Sequence, residues 1–389
     1  MWKWRRYENE KTYKTLVDVH FDLACVGVLG AVGFNKIRGK RGSIYAVVLV
    51  KSYTYQRVGG SNMANFTNIE LQFNNQCNNL IANFLAQNQN PDPNFINQEI
   101  NKIRTSVINQ LRIQYVSSLS THTGRNVIVY YSTFLQGSIM SNNPELMIND
   151  NDMNGLMNAV SGLDKTKGLD LVLHTPGGVT TATEAIVKYL RKCFNKNIRV
   201  IVPHMAMSAG TMIACSAKEI IMGKESSLGP IDPQYRNVPA EGVIDEFNRA
   251  VKEIQSNPQK ALVWKEIISQ YRPTFLGECQ YAIDLSRNLV TEWLSSCMFK
   301  NSKQKQTKVG NIVNGLASHA FSKLHDKHYD YEDCKKIGLK VIALEKDATL
   351  QDLVLSVHHS YVLSSYVLLG SLKYIENNNG QTFVISGKK

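Results

Sequence analysis

The chain has 389 residues, of which 43% are hydrophobic and 20% are charged, and its formal net charge is +12. This composition is that of an ordinary globular protein with one large domain or two smaller ones, able to bury a core without metals or disulfides. Eleven Lys/Arg and four Asp/Glu give residues 1–62 a net charge of +7, which leaves +5 for the other 327 residues. Because the body of the chain is only mildly basic and has no RNA-recognition motif, we do not expect nucleic acid as a partner.

The cysteines and the apolar segments indicate in which cellular compartment the protein is expected. The seven cysteines are widely spaced and include no CxxC pair, which argues against a disulfide framework or a zinc site and favours a reducing cytoplasm. The best membrane candidate, Leu23–Phe34, is about a dozen residues long, short of the ~20 that a helix needs to span a bilayer. The sequence therefore predicts a soluble cytoplasmic protein with no stable membrane span, no metal and no cofactor.

Residues 1–62 differ in pattern from the rest of the chain. They begin with basic and aromatic residues and include a β-like run, Ile44–Val50, whereas orderly helical spacing starts only after Met63. Two interpretations stay open: Met63 is the true start of the protein, or residues 1–62 form a poorly ordered basic arm.

Residues 63–116 predict a helical arm. Apolar residues recur three or four positions apart from Leu71 to Leu85 and again over Ile96–Tyr115, while the proline-containing stretch Asn88–Asn94 interrupts the pattern. We therefore expect two helices joined by a short break.

Residues 117–389 predict one α/β domain in which strands alternate with helices. The predicted strands are Val127–Tyr131, Leu169–His174, Ile198–Val202 and Glu219–Met222. The predicted helices between them are Asn149–Val160, Thr180–Asn195 and Ser208–Ala217. This order is typical of a parallel sheet built from right-handed crossovers. After Pro239 the pattern is mainly helical, over Gly242–Gln255, Leu262–Gln270 and Gly277–Cys297, with a polar loop at Asn301–Lys308. Asp352–Leu369 is an apolar segment.

Two motifs follow consecutive predicted strands. Strand Leu169–His174 ends in Thr-Pro-Gly-Gly, in which Gly177 and Gly178 allow another backbone to approach closely. The next strand leads to Ser208 at the start of a helix. Because ligands bind at the carboxyl ends of parallel strands, we expect the turn and the serine to meet there. Ser208 would then be a nucleophile, with the N–H groups of Gly178 and Ala209 as donors to an oxyanion. Taken singly, each motif is better interpreted as an ordinary helix cap or tight turn. Together, on adjacent crossovers, they favour the site.

The motifs Leu-His-Thr-Pro-Gly-Gly, Met-Ser-Ala-Gly-Thr-Met-Ile-Ala and Ser-Ser-Leu-Gly-Pro-Ile-Asp-Pro-Gln resemble those of the serine dehydrogenase proteinase family. These are Clp-class serine proteases related to signal peptide peptidase A. The resemblance runs from about Asn126 to about Gly380. It implies a ClpP/crotonase-like spiral of ββα units, which here would have an N-terminal helical arm and a helical C-terminal extension. It also implies ATP-independent proteolysis of protein or peptide substrates and a homo-oligomer.

The general base is the open part of the predicted site, since a serine hydroxyl needs one to become a nucleophile. A Clp-type histidine would lie about 25 residues after Ser208, as the resemblance implies, yet no histidine occurs from 205 to 318. The remaining candidates are Asp232, Lys260 at a spacing similar to some family dyads, and His359 or its neighbour His358. A metal site at His319, His325 and His328 is not expected because no acidic ligand set accompanies them.

Two alternatives stay open beside the peptidase. One is a protein that keeps the fold as a binding or scaffold module but lacks a competent base. The other is a crotonase-type acyl-CoA enzyme, which uses the same oxyanion geometry but needs acidic bases rather than a serine at the helix start. A peptidase would be labelled by a fluorophosphonate, whereas the binding or scaffold protein would not. Acyl-CoA turnover that survives Ser208→Ala would identify the crotonase-type enzyme.

Overall fold

The structure is a computed structural model. It describes the backbone of residues 33–38, 44–49 and 235, and the full residues 65–88, 92–136, 143–234, 238–317 and 327–387. The expectations for the rest of residues 1–62 and for His319 and His325 lie outside the described residues. By its contacts the chain divides into two units, one of residues 63–75 and 105–389 and the other of residues 1–62 and 76–104.

The larger unit contains a mostly parallel sheet of seven strands among the described residues. In spatial order these strands are β11 (Val341–Ala343), β7 (Glu219–Met222), β5 (Ile198–Val202), β4 (Leu169–His174), β3 (Asn126–Ser132), β12 (Ser371–Asn377) and β13 (Thr382–Ser386). The first five strands run parallel, while β12 is antiparallel to β3 and β13 is antiparallel to β12. All seven residues of β3 are buried, as expected of a strand that is covered on both faces.

Helices cover both faces of this sheet. The helices of the described residues, in chain order, are α1 (Phe66–Gln87), α2 (Pro93–Thr123), α3 (Asp152–Val160), α4 (Thr180–Cys193), α5 (Ala209–Cys215), α6 (Ala240–Ser256), α7 (Ala261–Ile268), α8 (Phe275–Ser296), α9 (Lys305–Ala317), α10 (Tyr331–Ile337) and α11 (Ala348–Val367). One core joins the sheet to α3, α4, α5, α8 and α9, and the opposite core joins it to the end of α2 and to α11. The three layers bury enough apolar surface to hold the loops at the sheet edge in place.

Separate two-stranded sheets accompany the large sheet among the described residues. They are β1 (Gly33–Arg38) with β2 (Ile44–Leu49), β6 (Met205–Ala206) with β8 (Ser227–Leu228), and β9 (Gln234–Tyr235) with β10 (Val238–Pro239). β6 pairs in parallel with β8, and isolated bridges add Thr175 on one side and Tyr329 on the other. The segments around Thr175, Ala206, Leu228 and Tyr329 are therefore neighbours in that order.

The sequence predictions for the sheet agree with the structure, but those for its C-terminal part need correction. Strands β4, β5 and β7 have the predicted bounds. The predicted helical C-terminal extension is wrong at its end, because the chain returns as β12 and β13 and completes the sheet. The predicted loop Asn301–Lys308 is partly wrong as well, since α9 begins at Lys305 and buries Val309 and Ile312. No helix among the described residues is both long and apolar enough to cross a membrane.

Candidate active site

The turn after β4 lies directly against the residue that precedes α5. Thr175 and Ala206 form a parallel bridge, which aligns the two chain segments. Gly177 has φ +106°, and a β-carbon at this position would lie 2.8 Å from Ser208 Cβ. Only glycine allows the two backbones to come this close, so the local sequence explains why they meet.

Ser208 has a strained backbone and does not act as a helix cap. Its φ of 50° and ψ of −113° lie outside the favoured regions for an L-residue. Although it directly precedes α5, its side chain makes no capping hydrogen bond. Strain of this kind costs ~1–3 kcal/mol and tends to occur at functional sites, where the surrounding structure enforces it. The interpretation of Ser208 as an ordinary cap therefore loses its physical basis.

Two backbone N–H groups are available beside Ser208. Gly177 O accepts a hydrogen bond from Ile148 N at 2.8 Å. Because a trans peptide is planar, the N–H of Gly178 points in the opposite direction from that carbonyl. Ala209 is the first residue of α5, and N–H groups in a first helical turn have no partner within the helix. Among the described residues, no backbone acceptor is assigned to the N–H of Gly178 or Ala209.

A layer of aromatic and imidazole rings packs behind the Ser208 loop. The ring of His174, at the end of β4, lies 5.6 Å from that of His204 and 5.5 Å from that of His358. Burial lowers the pKa of His174 to about 3, and it also brings the pKa of His358 well below its usual value. The Tyr131 hydroxyl lies 3.0 Å from His358 Nδ1. These rings are therefore neutral at physiological pH.

A further histidine lies near the same loop. His328 Nδ1 lies 2.9 Å from Ser227 Oγ, which fixes the ring. The antiparallel bridge between Leu228 and Tyr329 places His328 beside Gly229. A β-carbon on Gly229 would lie 3.2 Å from the backbone nitrogen of Ser208, so this edge of β8 faces the serine.

The part of the chain that carries the turn and Ser208 matches a family model. The model of the ClpP-like SDH-type serine proteinases matches residues 93–349 of the chain. The chain belongs to this family. Membership in this family supports a protease in general terms.

Three relatives come from Methanocaldococcus jannaschii. Two uncharacterised proteins are 31% and 36% identical over 190 and 192 residues, which is 49% of this chain in each case and 59% and 57% of the relatives. A third protein, whose name is "Putative protease", is 25% identical over 188 residues, 48% of this chain and 55% of that protein. The chain thus spans between half and two thirds of the length of these relatives.

The structure brings four of the predicted site residues together, namely Gly177, Gly178, Ser208 and Ala209. The candidate bases Asp232, Lys260 and His359 each have a different environment. Lys260 is half-exposed, with its Nζ 3.2 Å from Glu253 Oε2, as in an ordinary surface ion pair. Asp232 is buried, and its charge adds to burial in raising the pKa of Tyr329 to about 12.

The neighbouring histidines of α11 differ in direction. His358 contacts His174 and His204, whereas the ring of His359 lies 5.1 Å from that of His358 and edge-on to Phe66. The histidine that packs behind the Ser208 loop is therefore His358. Among the described residues, no group of three His, Cys, Asp or Glu side chains is placed to hold a metal ion.

Sequence reasoning missed three parts of this site: the Ser227–His328 pair, the Tyr131 contact to His358, and a buried ion pair between Lys373 and Asp152. A lone lysine in the apolar run Ser371–Ile375 was the one available signal for the ion pair.

The buried His174 predicts a loss of stability in acid. The unfolded chain binds this proton with a pKa of about 6.5, but the folded protein binds it only near pH 3. Between these values the unfolded state carries more protons. The free energy of unfolding therefore decreases as the pH is lowered through this range, by up to about 1.4 kcal/mol per pH unit for this residue. Urea denaturation between pH 7 and pH 4 should show a shallower pH dependence for His174→Phe than for the wild type. Equal slopes would contradict the prediction.

Proposed function

We propose that this SDH-type proteinase cleaves peptide bonds of protein or peptide substrates through an acyl-enzyme on Ser208. The observation that carries the proposal is the strained serine, held against Gly177 and making no capping bond to the helix that follows it. A structural cap would adopt a relaxed conformation and bond to its helix. An exposed hydroxyl on a forced turn is instead the usual arrangement of a serine nucleophile.

In the proposed reaction, Ser208 Oγ attacks the carbonyl carbon of the scissile bond while a base takes its proton. The carbonyl oxygen becomes an anion and accepts hydrogen bonds from the N–H groups of Gly178 and Ala209. Each such donor is worth about 3 kcal/mol of transition-state stabilisation. The protonated base then delivers its proton to the leaving amine, and water releases the acyl group by the reverse sequence of proton transfers.

For the base we propose His328. Its Nδ1 is engaged by Ser227 Oγ, and its position beside Gly229 directs it to the edge that faces Ser208. A base whose second nitrogen is held by another group is the usual arrangement in serine hydrolases. Lys260 is instead engaged in a half-exposed ion pair with Glu253, as a surface lysine is.

The experiment that tests the proposal is labelling of the wild-type protein with a fluorophosphonate, followed by mass spectrometry of the modified peptide. We expect one phosphonylated residue, Ser208, together with hydrolysis of fluorescent casein that the label abolishes. A protein that stays unlabelled and inactive would be the scaffold that the sequence left open.

The base is identified by comparing His328→Gln with His359→Gln, Asp232→Asn and Lys260→Ala. We expect His328→Gln to slow labelling by ~10²–10⁴-fold, the usual contribution of general-base catalysis, and His359→Gln and Lys260→Ala to have little effect. Ser227→Ala should slow labelling less, since it loosens the ring without removing the base. A large effect of another variant would transfer the role to that residue.

A further inference from the structure

We propose that the buried pair of Lys373 and Asp152 positions the Gly177-Gly178 turn for oxyanion binding. Both residues act through Ile148 and are positioning residues that do not touch the substrate. The inference rests on the proposed role of Ser208 and deepens it.

The ion pair is fully enclosed and each of its polar atoms is occupied. Both side chains are 0% exposed, and Lys373 Nζ lies 2.6 Å from Asp152 Oδ1. The ammonium also donates to Met147 O at 2.7 Å. The second carboxylate oxygen, Oδ2, accepts from the Tyr130 hydroxyl at 2.7 Å and from Asn149 N at 2.9 Å. The pair thus holds the backbone on either side of Ile148.

Ile148 in turn is paired with the turn. Its N–H donates to Gly177 O at 2.8 Å, and its carbonyl accepts from Val179 N at 2.9 Å. The contact is close, because a β-carbon on Gly178 would lie 2.3 Å from both the nitrogen and the oxygen of Ile148. A shift of Ile148 would therefore move the peptide between Gly177 and Gly178, and with it the direction of the Gly178 N–H.

A role in positioning accounts for the ion pair better than a role in stability. Buried ion pairs contribute little net stability compared with apolar residues of the same volume, because both charges lose their hydration. The pair fixes the orientation of one carbonyl group, that of Met147, and one N–H group, that of Asn149. An apolar side chain could not hold either group. An oxyanion donor must lie within about 2.7–3.1 Å of the developing charge, and a misplacement of about 1 Å is enough to cost ~10²-fold in rate.

The test replaces the pair with uncharged side chains of similar volume, in the double variant Lys373→Met with Asp152→Asn. Tyr130→Phe is a milder second variant, because it removes only one donor to Asp152. Both are assayed in the full chain with p-nitrophenyl acetate and with the fluorophosphonate. We expect kcat to fall about 30- to 100-fold in the double variant and about 3- to 10-fold in Tyr130→Phe, with KM changed less than threefold.

The matched control is Asp170→Asn. Asp170 is equally buried and pairs with Arg125 and Arg199, but at the amino end of β4, opposite the turn. It should lower stability and leave the kcat of the folded protein unchanged. The inference is overturned if the network variants keep kcat within twofold, or if Asp170→Asn lowers it equally. Failure of the proposed function would look different, because the wild type itself would then not be labelled at Ser208.

Discussion

Replacement of Ser208 with alanine is expected to abolish hydrolysis and fluorophosphonate labelling, with a loss in kcat of at least ~10⁴-fold because no nucleophile remains. Alanine also has a β-carbon and therefore keeps the strained backbone of φ 50°. The free energy of unfolding should thus stay within about 0.5 kcal/mol of the wild-type value. Casein hydrolysis and urea denaturation of the same preparations measure both quantities.

Ser208→Gly separates strain from chemistry. It removes the hydroxyl as alanine does, so the variant should be equally inactive. Glycine adopts a positive φ without steric cost, so the strain of ~1–3 kcal/mol is relieved, offset in part by the greater entropy of the unfolded chain. We expect the glycine variant to be about 1 kcal/mol more stable than the alanine variant. A glycine variant less stable than alanine would show that the turn at Ser208 carries no strain, and residual activity in either variant would remove Ser208 from its proposed role.

The parts of the site that the sequence predicts are those fixed by local rules. Strands β4 and β5 are short apolar runs bounded by turn-forming residues, so their ends can be located within the sequence itself. Parallel strands on consecutive crossovers end at the same edge of the sheet, which is why Gly177 and Ser208 could be expected to meet. The glycines of the turn indicate that another backbone segment approaches closely, because no other residue allows that approach.

The supporting parts could not be predicted because their partners are distant in sequence. Lys373 and Asp152 are 221 residues apart and meet only once β12 pairs with β3. The polar residues Lys373 and Glu376 also interrupt the apolar pattern of β12, which hid the strand and favoured the helical prediction. In the folded protein both are buried, and Glu376 bonds to Arg112 at 2.9 Å.

The candidate bases also could not be distinguished from the sequence, because their environments depend on how distant elements pack. His358 and His359 are adjacent on α11, so their side chains point about 100° apart around the helix. The sequence cannot tell which of the two packs toward β4, because that depends on how α11 is seated on the sheet. Lys260 was selected by its distance along the chain, yet between α6 and α7 it forms a half-exposed ion pair with Glu253.

Replacement of Gly178 with alanine is expected to damage both the fold of the turn and the reaction. The added β-carbon would lie 2.3 Å from the backbone of Ile148, far inside van der Waals contact, so one of the two segments must move. Overpacking of this kind costs about 1–3 kcal/mol of unfolding free energy. Because the same movement displaces the N–H of Gly178, kcat should fall by ~10²–10³-fold, as when an oxyanion donor is removed.

Gly277→Ala is the matched control, because a β-carbon at that helical position in α8 meets nothing within 4 Å. It should raise the unfolding free energy by about 0.5–1 kcal/mol and leave kcat unchanged. KM for p-nitrophenyl acetate should change little in Gly178→Ala, since the donor acts on charge that develops only in the transition state. Suppose that Gly178→Ala unfolds more easily but keeps the wild-type kcat. The tight turn would then serve packing alone, and the N–H of Gly178 would not be an oxyanion donor.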